Sequence, residues 1–276
     1  MLNYIKNSFK RKIARRVTKE YSAKIDNFYI EKYGNVAFAN WNNPLVAPII
    51  LNDSLINFFG QFIKDGDLVI DIGANSGDTT VPMALCAGKK GLTIGFDPNP
   101  YVFKILQENA ALNSNLVNIV PEPYAISEAE EEFYYISSEA SFGNGGISPT
   151  AKSKHGKFIH PNKIKGVNLK KFLEEKYAKW IDRLSFIKID TEGYDKEIIK
   201  SITDLLLKYK PIIIAESFDG ATNEEKIELY EVISNLGYDI FYFEDFKAGC
   251  NTKMLTTSND ITMWKETINI YAIPRN

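Results

Sequence analysis

The sequence predicts an α/β domain built on a mostly parallel sheet of seven strands, with helices on both faces. Three observations predict it. Seven short apolar runs rich in β-forming residues occupy 68–72, 92–96, 117–120, 186–189, 212–215, 239–243 and 268–273. Amphipathic segments lie between most of them, and strands apolar throughout belong to sheets covered on both faces. The first strand also runs into a glycine turn, IDIGANSG, where ligand-binding α/β sheets of this class turn tightly.

Taken in order, residues 1–50 precede these strands and are expected to form a basic helical extension, with the domain proper over 51–276. Leu2, Ile5, Phe9, Ile13 and Val17 fall at helical spacing among Lys6, Lys10, Arg11, Lys12, Arg15, Arg16 and Lys19. Against these seven cations stands Glu20 alone, so residues 1–20 carry +6 and the remainder −8 of a net −2. Such a helix either lies on an anionic membrane surface or packs its stripe on the domain or on a second subunit in a homodimer. Beyond the glycine turn, Val102, Ile105, Leu106 and Leu112 share a helical face. So do Ile198, Ile199, Ile202, Leu205 and Leu206, and likewise Ile227, Tyr230, Ile233 and Leu236. The last of these helices has good caps in Thr222 and Asn223 and a stop at Gly237. Residues 137–166 are rich in Gly, Ser, Pro, Asn and Lys without apolar periodicity, so a long loop, a functional lid or a disordered segment is expected there.

Composition narrows the class. A chain of 276 residues, 45% hydrophobic, is long enough for a sizeable core. The near-balanced charge points to no nucleic-acid partner. Two cysteines, Cys86 and Cys250, form no CxxC pair, which suits a reducing compartment. No apolar stretch follows the basic N-terminus as in a signal peptide, and no run approaches a membrane span. The expectation is a cytoplasmic protein, with a peripheral place at the inner membrane face if the helix binds lipid.

The candidate site starts at the glycine turn. The helix after Gly77 offers unpaired N–H groups and a positive dipole end, which Thr79 and Thr80 could supplement. Asp97, at the end of the second strand, lies across the crevice and is suited to accept two hydrogen bonds from a ribose diol. The loop is not GxGxxG, because Asn75 and Ser76 stand between Gly73 and Gly77. On these residues alone, a nicotinamide dinucleotide and S-adenosylmethionine remain alternatives.

Three motifs in order, DIGANSGDTT, GFDPNPYVFKILQENAALN and FIKIDTEGYDKEIIKSI followed by PIIIAE, resemble the FkbM family of S-adenosylmethionine-dependent methyltransferases over about residues 60–218. The resemblance implies the class I methyltransferase fold, Rossmann-like, with an antiparallel last strand. It implies that Asp71, Gly73, Asn75 and Gly77 surround the methionine half of the cofactor, that Asp97 takes the ribose, and that Tyr124 and Ala125 lie along the adenine. Asp97 replaces the family's usual glutamate, and Lys170 stands where the family often has aspartate. Asn75 tolerates left-handed backbone and so can replace a glycine, with its amide available to the cofactor's carboxylate.

Methyl transfer to a hydroxyl needs an oriented nucleophile and a base for its proton. Asp190, at the end of the fourth strand, is the first candidate base, and Glu192 follows it before Gly193. His155 and His160, in the long loop, are the alternatives. Asp190 and Glu192 could also hold a divalent cation, although two carboxylates do not define a metal site. The expected reaction is O-methylation of a hydroxyl on a glycan sugar or a secondary metabolite. An oxidoreductase and a non-catalytic scaffold are the competing readings.

Overall fold

Apolar runs set between amphipathic helices do form a covered sheet, and its strand order carries the glycine turn to the centre. The computed structural model describes residues 2–153, 156–191 and 193–275, with side chains from Asn7 onward. Helix α1 (Leu2–Ala14) is followed by the hairpin β1 (Ala23–Ile30) and β2 (Gly34–Trp41), then α2 (Asp53–Phe59). The first half of the main fold contains β3 (Leu68–Ile72), α3 (Thr80–Ala87), β4 (Leu92–Phe96), α4 (Val102–Ala111) and β5 (Ile119–Glu122). An insertion supplies β6 (Ala125–Ile126), β7 (Glu131–Ser137), β8 (Gly146–Ser148), β9 (Phe158–Ile159) and β10 (Ile164–Val167). The second half contains α5 (Leu169–Lys176), β11 (Leu184–Ile189), α6 (Asp195–Ser201), α7 (Thr203–Tyr209), β12 (Ile212–Ser217), α8 (Asn223–Asn235), β13 (Tyr238–Phe243), β14 (Thr252–Leu255) and β15 (Ile268–Pro274).

All seven expected strands are present in one sheet of order β14-β13-β15-β12-β11-β3-β4-β5. The run from β12 to β5 is parallel, and β15 pairs antiparallel with both β12 and β13. An eighth strand, β14, extends the edge beyond β13. Strands β3 and β4 are buried at every position, as a sheet covered on both faces requires. Helix α8 starts with a capping box between Thr222 and Glu225, which satisfies two N-terminal N–H groups reciprocally.

Two expectations need correction. Residues 1–50 are not a helical extension throughout, because the helix ends at Ala14 and 23–41 form a hairpin. That hairpin docks on α4 and the turn after it through asparagines. Asn109 bonds both the N–H and the C=O of Ala39, at 2.7 and 3.1 Å, and Asn113 does the same for Ala37, at 2.9 and 2.8 Å. The backbone edge of β2 is thereby occupied. Nor is 137–166 a structureless loop. It supplies β8, β9 and β10 to a small sheet of order β6-β10-β7-β8, with β9 also on β7. On that sheet Ala125, Phe133, Tyr135 and Ile164 join Phe142 in a separate apolar cluster.

Candidate active site

The glycine turn leaves β3 in the middle of the sheet, between β4 and β11. Gly73 has φ +79°, and a Cβ there would lie 1.9 Å from the carbonyl oxygen of Asp190. Only glycine permits both the left-handed backbone and this approach to the end of β11. The N–H groups of Gly73 and Ala74 both donate to the Phe96 carbonyl at 3.0 Å, tying the turn to β4. Asn75 adopts φ +46°, the left-handed conformation expected of it. Its side-chain oxygen accepts from the N–H of Ser76 at 2.7 Å.

A cavity of about 340 Å³ opens at these strand ends. Of the candidate residues, Gly73, Asn75, Asp97, Tyr124, Ala125 and Asp190 line it. Asp97 is 7% exposed, and each of its oxygens accepts one backbone N–H, from Asn75 at 2.7 Å and from Asn99 at 2.8 Å. Burial pushes its pKa up to about 7, against the pull of those two N–H groups, with Asp71 and Asp78 adding to the rise. Asp78, half-buried at the cavity wall, is pushed up to about 6 by burial, while Lys188 draws it down.

Asp71, Gly77 and Thr79 stand behind the cavity wall. Asp71 is fully buried, and one of its oxygens accepts from the hydroxyls of Thr79 at 3.0 Å and Thr80 at 2.6 Å. Those threonine hydroxyls are therefore spent on Asp71 rather than directed into the crevice. Gly77 faces Leu106 of α4, where a Cβ would approach to 3.2 Å, so its smallness lets that helix pack close.

The residue that sequence reasoning missed is Lys188. It is 2% exposed on β11, lines the cavity, and pairs in register with Asp71 on β3. Its ammonium lies 3.1 Å from Asp190 Oδ2 and 3.5 Å from Asp71 Oδ1. Burial by itself would lower its pKa, but the carboxylates of Asp190, Asp71 and Asp78 raise it above the ordinary lysine value. The available signal was a lysine inside an otherwise apolar run, two residues before Asp190. The turn after β11 is held by Asp195, 1% exposed, which accepts from Thr191 N–H and hydroxyl at 3.2 and 2.8 Å and from Glu216 N–H at 3.0 Å. Burial pushes Asp195 up to about 6.

The insertion closes one side. Asn99 Nδ2 donates to the Phe142 carbonyl at 2.8 Å, and the segment 143–147 that follows lines the cavity. His160 is not part of that lining. Its Nδ1 lies 2.9 Å from the Asn162 carbonyl, and its ring meets Tyr101 and Phe142 edge-on at 5.8 and 6.2 Å. Glu192 and His155 lie outside the described residues. Among the described residues, no cluster of three or more His, Cys, Asp or Glu side chains could hold a metal ion.

A model of the methyltransferase FkbM domain matches residues 71–240. Among solved structures, the chain is similar to a methyltransferase FkbM from Methylobacillus flagellatus KT, with 13% identity over 78% of this chain and 47% of that one and a TM-score of 0.47. It is similar to an S-adenosylmethionine-dependent O-methyltransferase from Thermotoga maritima, with 11% identity over 92% and 78% of the two chains and a TM-score of 0.44. A precorrin-6y C5,15-methyltransferase from Geobacter metallireducens GS-15 gives 12% identity, 79% and 87% coverage and a TM-score of 0.43. No curated protein matches the chain. Strand order and the domain match, rather than these likenesses, carry the assignment.

Proposed function

Because the chain belongs to the FkbM family of S-adenosylmethionine-dependent methyltransferases, matched over residues 71–240, we propose that it methylates a hydroxyl oxygen, on a glycan sugar or a secondary metabolite. The nicotinamide and scaffold alternatives fall with that membership. The residues present fit the cofactor. Asp97 is a buried carboxylate at the cavity with one backbone N–H on each oxygen, and the lone pairs left over suit a ribose diol. Gly73 and Asn75 would border the methionine half, and Tyr124 and Ala125 the adenine. When bound, S-adenosylmethionine supplies an electrophilic methyl group on a positively charged sulfonium.

The observation that carries the reading is Asp190, 39% exposed at the cavity and ion-paired to buried Lys188. An acceptor hydroxyl sheds its proton as its new bond to carbon forms, and a nearby carboxylate can receive it. Lys188 orients that carboxylate. Asn144 and Thr191, also in the lining, offer hydrogen bonds to further hydroxyls of a sugar.

Incubation with methyl-labelled S-adenosylmethionine and a panel of glycans and polyhydroxylated metabolites tests the reading. Label is expected on an acceptor oxygen, with kcat lowered about 10²-fold or more in Asp190→Asn. Label on nitrogen or carbon, or full activity in the variant, would contradict it.

A further inference from the structure

Helix α1 turns Phe9 and Ile13 away from the domain, and Val17, just past its end, is exposed as well. Ala14 is fully buried against the fold, whereas Phe9, Ile13 and Val17 are 64, 37 and 53% exposed. Phe9 and Ile13, four residues apart, share a helical face, and at about 100° per residue Ala14 points about 140° from Phe9. Phe9, Ile13 and Val17 therefore do not serve the domain's own packing.

The charge around that stripe is one-sided. Lys10, Arg11, Lys12, Arg15, Arg16 and Lys19 are exposed, and among the described residues no ion pair engages them. Glu20, the only acid in the first twenty residues, pairs instead with Lys104 at 2.7 Å. The +6 of residues 1–20 contrasts with −8 on the remainder. No helix among the described residues is long and apolar enough to cross a membrane.

We propose that residues 7–19 dock this protein on an anionic lipid bilayer, with Phe9, Ile13 and Val17 entering the interface and the cations meeting the headgroups. The combination of apolar stripe and flanking cations is that of a helix lying in the bilayer surface. A second copy would bring the same positive charge face to face, and a nucleic acid would leave the apolar stripe exposed, so the bilayer is the complementary partner. The acidic remainder of the chain is repelled by the same surface, which orients the molecule.

The docking site is joined to the cavity wall. The Arg15 carbonyl accepts from Ala140 N–H at 3.3 Å, and the segment that lines the cavity begins at Gly143. Three residues of chain span at most about 11 Å. A bilayer docked at α1 would then be joined by a short segment to the cavity wall, and a membrane-borne acceptor is the substrate such a placement would favour. That consequence rests on the methyl-transfer reading, whereas the docking itself does not.

The test is co-sedimentation of the full chain with vesicles of phosphatidylcholine, alone or mixed with phosphatidylglycerol. Binding is expected only to the mixed vesicles and should weaken as salt shortens the screening length, about 10 Å at 0.1 M. The charge reversal K12E/R15E/R16E should lower the partition coefficient on the order of hundredfold, and F9S/I13S about tenfold or more. Retained S-adenosylhomocysteine binding shows that the variants are folded, and the comparison of lipid compositions needs no variant. Equal binding to both vesicles, no binding to either, or unaltered binding by both variants would overturn the proposal. Self-association lost in F9S/I13S without vesicle binding would overturn it in favour of a second copy.

Discussion

Asp97→Asn should make the protein more stable above neutral pH while weakening its hold on the cofactor. Burial raises Asp97 from an ordinary 3.8 to about 7, roughly three units at about 1.36 kcal/mol each. As pH rises, the unfolded chain releases this proton near 3.8, while the native chain keeps it until about 7. Between those values the unfolded state binds fewer protons, so native stability falls with rising pH, by up to ~4 kcal/mol, and then levels off. Asparagine has no charge to desolvate, but its NH2 must face one of the two N–H groups now bonded to the carboxylate. An unsatisfied buried donor costs about 1–3 kcal/mol. The variant should therefore gain roughly 1–3 kcal/mol at pH 8 and lose a similar amount at pH 4. Urea denaturation across pH 4–8 reads both signs, and calorimetry should show S-adenosylhomocysteine binding at least about tenfold weaker, from the loss of a charge-assisted hydrogen bond. A variant less stable than the parent at pH 8, or with the parent's full pH slope, would show that burial of the Asp97 carboxylate does not set this pH dependence.

Gly73→Ala forces a Cβ to 1.9 Å from the Asp190 carbonyl on a backbone of φ +79°. Left-handed strain and overpacking together should destabilise by about 2–5 kcal/mol, measured as a fall in urea midpoint. Lys188→Met leaves the fully buried Asp71 facing no cation and should cost about 3–5 kcal/mol of stability, with kcat falling more than KM because Asp190 loses its orienting partner. Thr222→Ala removes the capping box of α8 and should lower stability by about 1 kcal/mol without changing turnover. A larger loss of activity there would show that α8 communicates with the site.

The central strands were legible because each is an apolar run, and helices with apolar faces follow β4, β11 and β12. DIGANSG was legible because strand, turn and helix have different residue demands, and Asn75 does take the left-handed backbone its residue type allows. The hairpin was not legible. Strand β1 buries only Ile30 fully and exposes Ile25 and Tyr29, so it shows no run that separates it from a loop. Residues 137–166 escaped because the strands β8, β9 and β10 are two to four residues long and draw their partners from β6 and β7 rather than from one another. Lys188 escaped because its meaning depends on register. Only pairing β11 with β3 brings it beside Asp71, and one strand's sequence contains no such information. Conversely, Asp71 and Thr79 sit in a motif that suggests direct contact, while their side chains bond each other behind the wall.

Cofactor placement at the ends of β3 and β4 is tested most directly by a crystal structure of the full chain with S-adenosylhomocysteine. The ribose diol is expected on Asp97, the adenine beside Tyr124 and Ala125, and the sulfur directed toward the side of the cavity that holds Asp190. A ligand bound elsewhere, or bound with its ribose away from Asp97 and its sulfur away from Asp190, would contradict that placement.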